Sequence, residues 1–177
     1  MIKIWFEPHS TTVDNEAKLA SGWNDVDLSP AGAEQTFQLV KRSKERKIEV
    51  IFSSDLQRAI KTAIPTAEGL KIPMYVDKRL RECNYGDLTQ QPKEEIDGMK
   101  AQRIGTPFPG GESYKNCMER MGGFLKDLTQ KFDGKTVLII GHRATQYGLE
   151  HHINGKSIYD CVTEPWTYQP GWLYELE

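Results

Sequence analysis

The sequence predicts an α/β fold, a three-layer sandwich whose mostly parallel central sheet is flanked by helices. Three observations lead there. Strand-like and helix-like patterns alternate along the whole chain, with no repeat, low-complexity tract or Pro/Ser linker between them. The apolar runs Val50-Ile51-Phe52 and Val137-Leu138-Ile139-Ile140 lack the in/out alternation of a half-exposed strand, so they need cover on both faces. At 177 residues the chain supplies one sizeable core and not two, so residues 1–177 are expected to form a single domain.

The elements follow in order. Ile2-Lys3-Ile4-Trp5-Phe6 reads as the first strand, ending in a loop rich in hydroxyl groups, Ser10 to Thr12. A helix begins at Ser29 as N-cap with Pro30 in its first turn, and Ala33, Phe37 and Val40 are expected on its buried stripe. Behind Asp55, the positions Leu56, Ala59, Ile60, Ala63 and Ala67 make a second stripe, which Pro65 is expected to kink or cut short. Tyr114, Cys117, Met118, Met121, Leu125, Leu128 and Phe132 give the strongest helical stripe, with its methionines as core filler. Met74-Tyr75-Val76 and Trp172 to Leu176 are weaker strands, expected at the edges. Trp166, Tyr168, Trp172 and Tyr174 can line a pocket rim or an interface, and core and edge-strand packing is the favoured use.

Composition narrows the function. Hydrophobic content of 38%, charged content of 27% and a net charge of −2 describe a globular chain without the basicity of a nucleic-acid binder. No apolar run approaches the roughly 20 residues that span a bilayer, and the N-terminus has no charged segment leading into an apolar one, so a cytoplasmic location with no membrane partner is expected. The basic run Lys41 to Lys47 contains a glutamate and no aromatic residue, and is expected to be a solvated helix end. Cys83, Cys117 and Cys161 have no metal-like spacing and read as reduced core thiols. His151 and His152, as neighbours, lack the i, i+4 spacing of a helical zinc pair, so no metal site is expected.

Four polar residues follow the predicted strands, where open α/β sheets build their sites: His9, Arg58, Glu82 and His142. Phosphoryl transfer needs a neutral nucleophile, cations and donors around the phosphoryl oxygens, and an acid for the leaving oxygen. These four residues supply all three roles.

In these segments the chain resembles the histidine phosphatase superfamily, which includes the phosphoglycerate mutases. The family's first motif, Arg-His-Gly followed by a hydroxyl residue and an asparagine, is met by Pro8-His9-Ser10, then Thr12 and Asn15. SGWNDVDLSPAG (21–32) is similar to the loop and helix start of the mutase branch, and SSDLQRAIKTA (53–63) to the second motif. RECNYGDL (81–88) resembles the segment carrying the general acid, PGGES (109–113) the loop before a long helix, and GHRATQYGL (141–149) the last motif. The resemblance implies a phosphohistidine at His9, Glu82 as general acid and base, and Arg58 and His142 on the phosphoryl oxygens. Asn15, Ser10 and Thr12 join them as phosphate-binding residues. It also implies metal-independent chemistry with no cofactor and a small phosphorylated substrate.

Two departures bear on activity. Pro8 stands where the family has arginine, removing one guanidinium and one backbone N–H from the loop facing phosphate. Arg143, where the family usually has glycine, offers a guanidinium in exchange as a further phosphate-binding residue, the alternative being a side chain in solvent or paired with an acidic neighbour. Glu7 is an anion two residues from the nucleophile, and the proline beside it leaves its direction open. The expectation is therefore a phosphomonoester hydrolase. The alternatives are a catalytically weak member that binds a phosphorylated ligand or a protein, and mutase-type transfer. The substrate and the oligomeric state stay open.

Overall fold

The computed structural model describes residues 1–177. In chain order, β1 (Ile2–Pro8) leads through a short helix α1 (Val13–Glu16) to α2 (Pro30–Glu45). Then come β2 (Val50–Ser53), α3 (Gln57–Leu70), β3 (Met74–Val76), α4 (Lys93–Met99), α5 (Tyr114–Lys131), β4 (Thr136–Gly141), α6 (Arg143–Asn154), α7 (Ile158–Thr163) and β5 (Trp172–Leu176). The strands form one sheet in the order β3-β2-β4-β1-β5. Four of them run parallel, and β5 alone pairs antiparallel, with β1. The mostly parallel sheet and both edge strands match expectation.

Successive residues of a strand point to opposite faces, and here both faces are covered. Ile2, Ile4, Phe6, Val50, Phe52, Val137 and Ile139 pack under α5 and α6 with Met121, Phe124, Leu128 and Leu149. On the other face Ile51, Leu138 and Ile140 meet Leu39 of α2 and Ala59 and Ala63 of α3. A further cluster of Cys83, Tyr85, Phe108, Tyr114, Cys117 and Tyr147 extends the α5–α6 layer above the sheet's C-terminal edge. No helix is long and apolar enough to cross a membrane.

Two helices depart from expectation. The buried face of α2 is Gly32, Thr36, Leu39 and Ser43, one position off the predicted stripe, and Phe37 is 62% exposed. Gly32 sets this phase. A Cβ there would lie 1.9 Å from the Thr11 carbonyl oxygen, so only glycine lets α2 abut the loop after β1, and the rest of the helix follows. The cap itself is as predicted, with Gly32 N–H donating to Ser29 Oγ at 3.1 Å. In α3, Pro65 neither ends nor shortens the helix, which continues to Leu70. Buried Thr62, Ala63 and Thr66 flank the proline on one face, and their packing outweighs its cost of about 3 kcal/mol.

Candidate active site

The C-terminal ends of β1, β2 and β4 bring the predicted residues together. His9 follows β1, and its backbone N–H donates to the Gly141 carbonyl at 3.0 Å. N–H groups alternate between the two neighbours of a strand, so position 8 faces β5, whose pairing with β1 stops at Phe6. Pro8 therefore costs no ladder bond. The His9 ring is fixed by Nδ1–H, which donates to the Ser10 carbonyl at 2.8 Å and leaves Nε2 with the lone pair. Burial, reinforced by the Arg58 charge, lowers the His9 pKa to about 3, so the imidazole is neutral.

Arg58, in the first turn of α3, is 1% exposed. It donates to the Asn24 carbonyl at 2.9 Å and the Gly22 carbonyl at 2.7 Å, while Nε has no partner. Burial pulls its pKa down, opposed by Glu82, Asp25 and Asp14, none of which pairs with it directly. Its 3.4 Å contact with His142 Nδ1 fixes that ring too. A guanidinium only donates, so Nδ1 accepts, and His142 Nε2–H donates to Ser54 Oγ at 2.7 Å. Burial, then Arg58, holds His142 well below the ordinary imidazole range. The two imidazoles lie 5.1 Å apart, centre to centre.

Glu82, between β3 and α4, places its carboxylate at the start of α6. Its carboxylate accepts from Cys83 N–H at 2.8 Å, Ala144 N–H at 3.2 Å and Arg143 N–H at 3.2 Å, the last two being free amides at the positive end of the helix. Its main chain is clamped as well: Trp23 Nε1–H donates to the Glu82 carbonyl at 2.7 Å and Arg120 Nη2–H at 2.9 Å. Arg120 also holds the Arg79 carbonyl at 2.6 Å and is itself held by Glu112, with Nε 3.1 Å from Oε1. Sequence reasoning missed this clamp. The glutamate of PGGES was its one visible sign.

His9, Asn15 and Glu82 line two connected hollows. One is a recess of about 70 Å³ that also meets Arg58 and Lys93. The other is a cleft of about 600 Å³ walled by His142, Arg143, Arg42, Gln38, Trp166 and Tyr168, among others. Asn15 Oδ1 accepts from Thr12 N–H at 3.0 Å, which leaves the amide Nδ2 for the cleft. Thr12 and Ser10 line neither hollow. The Thr12 hydroxyl caps α1 by accepting from Asn15 N–H at 3.1 Å, and Ser10 serves through its carbonyl and through its N–H, which donates to Thr62 Oγ1 at 2.9 Å. Arg143 lies in the cleft wall with its guanidinium 4.6 Å above the Trp166 ring and no carboxylate partner.

Other expectations change. Glu7 does not face the phosphate loop: 3% exposed, it points to the α2 face and pairs with Arg42 at 2.9 and 2.7 Å and Arg46 at 2.6 Å. The basic run thus spends two arginines on a buried carboxylate and is not wholly a solvated face. Trp166 and Tyr168 wall the cleft, whereas Trp172 and Tyr174 pack on the core as expected. His151 and His152 bond the Lys156 and Met118 carbonyls. The fold does gather Cys83, Cys117 and Glu112 within 4.8 Å of one another despite their spacing. Arg120, 3.4 Å from Cys117 Sγ and paired with Glu112, already supplies the positive charge there, so this donor set does not fit a metal ion.

Residues 4–162 match the family model of the histidine phosphatase superfamily, branch 1. The chain is 32% identical over 198 residues to the probable phosphoglycerate mutase GpmB of Cronobacter sakazakii, covering 99% of this chain and 92% of that one. It is 30% identical over 209 residues to the 2,3-bisphosphoglycerate-dependent phosphoglycerate mutase of Staphylococcus carnosus, covering 96% and 92%. Among solved structures, mycobacterial glucosyl-3-phosphoglycerate phosphatase in complex with vanadate has the same fold, with a TM-score of 0.81 at 24% identity over 90% of this chain and 85% of that one. The sheet order, the motifs and the match along most of the chain lead to one conclusion: this protein belongs to the histidine phosphatase superfamily and has its phosphoglycerate mutase-like fold.

Proposed function

We propose that the chain is a phosphomonoester hydrolase that works through a phosphohistidine at His9, with Glu82 as general acid and base and without a metal or other cofactor. The observation that carries this reading is the neutral His9 imidazole, with Nδ1–H held by the Ser10 carbonyl, Nε2 left unprotonated, and a shared recess with an unpaired buried guanidinium and a carboxyl group. A site made only to bind phosphate has no use for both a nucleophile and an acid.

In the first step the His9 Nε2 lone pair forms the N–P bond and the bond from phosphorus to the leaving oxygen breaks. A proton that the monoanionic phosphate brings in and shares with Glu82 passes through that carboxyl group to the leaving oxygen. The imidazolium so formed keeps its Nδ1–H on the Ser10 carbonyl, which stabilises the positive charge. In the second step Glu82 takes a proton from water, the oxygen bonds to phosphorus and the N–P bond breaks, returning neutral His9. Arg58, Asn15 and His142 are assigned to the phosphoryl oxygens. The Ser54 hydroxyl can donate as well as accept, so His142 can turn an N–H toward the anion by exchanging roles with it. Arg143 is assigned the outer side of the phosphate in place of the arginine that Pro8 displaces.

The test is hydrolysis of p-nitrophenyl phosphate in the presence of chelator by the wild type, His9→Ala and Arg143→Gly. The expected result is turnover that disappears in His9→Ala and falls by roughly 10²-fold in Arg143→Gly, the scale of one lost charge-stabilising donor. Equal inertness of wild type and His9→Ala on this and on natural phosphomonoesters refutes the enzyme reading and leaves a phosphate-binding protein. Transfer of the phosphoryl group to an alcohol in preference to water marks a mutase.

A further inference from the structure

The outer cleft is large for a leaving group the size of a three-carbon acid: it holds about 600 Å³ beyond the 70 Å³ recess, within the range of sites that enclose whole small molecules. We propose that the leaving alcohol carries a flat aromatic ring and that Tyr168 is the face on which this ring packs. The proposal rests on the phosphatase reading above.

Tyr168 lies on a segment between α7 and β5 that supplies part of the cleft wall and is anchored on both sides. At one end Trp166 Nε1–H donates to Gln146 Oε1 at 2.6 Å and the ring packs 5.7 Å from Trp172. At the other, the Pro170 carbonyl accepts from Arg46, whose guanidinium sits 4.0 Å above the Trp5 ring. Tyr168 is held between these anchors, yet it is 58% exposed and its hydroxyl bonds nothing. Core packing therefore does not account for it. Trp166 is already engaged by Arg143 and by Trp172 and lies 6.3 Å from the tilted Tyr168 ring, so the exposed remainder of Tyr168 is the open aromatic surface in a cleft whose remaining wall is polar. Gln38, exposed beside it on α2, is free to meet donors and acceptors at a ring's edge. Flat rings gain most on such a face, whereas a small aliphatic acid has no ring to stack there.

The experiment compares kcat/KM for four phosphates of primary alcohols, whose leaving oxygens are chemically alike: O-phosphoserine, glycerol 3-phosphate, glucose 6-phosphate and adenosine 5′-monophosphate. Wild type, Tyr168→Ala and Tyr168→Phe are measured side by side. Adenosine 5′-monophosphate is expected to exceed the two small substrates by about tenfold, the scale of one stacking contact. That ratio should fall toward one in Tyr168→Ala and survive in Tyr168→Phe. A wild-type ratio of one or less, a preference for glucose 6-phosphate alone, or a ratio unmoved by Tyr168→Ala overturns the proposal. Failure to turn over any of the four sinks the phosphatase reading instead. The ring contact is then read by calorimetric binding of adenosine 5′-monophosphate, where a tenfold loss in Tyr168→Ala supports it and equal affinity overturns it.

Discussion

Replacing Arg58 by methionine should abolish activity and make the protein more stable. Arg58 is 1% exposed, has no carboxylate paired with it and leaves Nε without an acceptor. An unpaired ion held out of water costs several kcal/mol, and an orphaned buried donor about 1–3 kcal/mol more. Against this stand its two hydrogen bonds to the Gly22 and Asn24 carbonyls, together worth about 3–6 kcal/mol because the donor is charged. Methionine keeps the unbranched stem and fills much of the volume, so the balance leaves Arg58→Met more stable by about 1–2 kcal/mol. Urea unfolding followed by tryptophan fluorescence, in phosphate-free buffer, measures the difference. Adding phosphate at 100 times its dissociation constant then separates the two proteins, stabilising the wild type by about 2.7 kcal/mol and the variant far less. A variant less stable than the wild type by 1 kcal/mol, or stabilised by phosphate to the same degree, refutes the view that Arg58 is a buried charge awaiting an anion.

Stability should also fall on mild acidification. His9, with its pKa near 3, and His142 stay neutral in the folded chain, while both take up protons below about pH 6.5 once unfolded. The unfolded state then binds more protons, so each histidine removes about 1 kcal/mol of stability between pH 6.5 and 5.5. Urea titrations at those two pH values should show a loss smaller by about that amount in His9→Gln, and an unchanged loss argues against a neutral His9. Glu7→Gln should lower the unfolding free energy by about 2–4 kcal/mol, because an amide donor then faces two arginines that the carboxylate held with three hydrogen bonds. Thermal melts should drop by roughly 5–15 °C, and a shift under 2 °C contradicts the geometry.

The legible part of the site was the part tied to strand ends. His9, Arg58 and His142 each follow a strand by one to five residues, and once the strands are placed the parallel topology brings them to one edge. Ser10 and Thr12 were harder, because a hydroxyl in a loop looks the same in sequence whether it serves a ligand or caps the backbone. Here the Thr12 hydroxyl caps the backbone, and Ser10 contributes its carbonyl and its N–H. The direction of Glu7 stayed open because Pro8 follows it. The structure keeps the alternation, with Ile2, Ile4 and Phe6 on one face and Glu7 on the other, where it meets Arg42 of α2 and Arg46 at its C-cap. The phase of α2 was not legible either, since it depends on Gly32 meeting Thr11 across the chain. Nor was the clamp of Arg120 and Glu112 on Glu82, which joins segments about 30 residues and more apart through contacts no local pattern records.

The loss of arginine at position 8 acquires a structural logic from its neighbours. A proline fits there because the ladder asks nothing of its nitrogen, so the backbone still delivers His9. The cost is one of charge. Arg42 also lines the cleft, but its guanidinium is spent on buried Glu7, which leaves Arg143 as the lining guanidinium with no carboxylate partner. Arg143 occupies the first position of α6, where its backbone N–H holds Glu82 while its side chain reaches the cleft. One residue thus fixes the acid through its main chain and places a cation through its side chain. Glycine there keeps the first function and removes the second, so Arg143→Gly probes the missing charge without releasing Glu82.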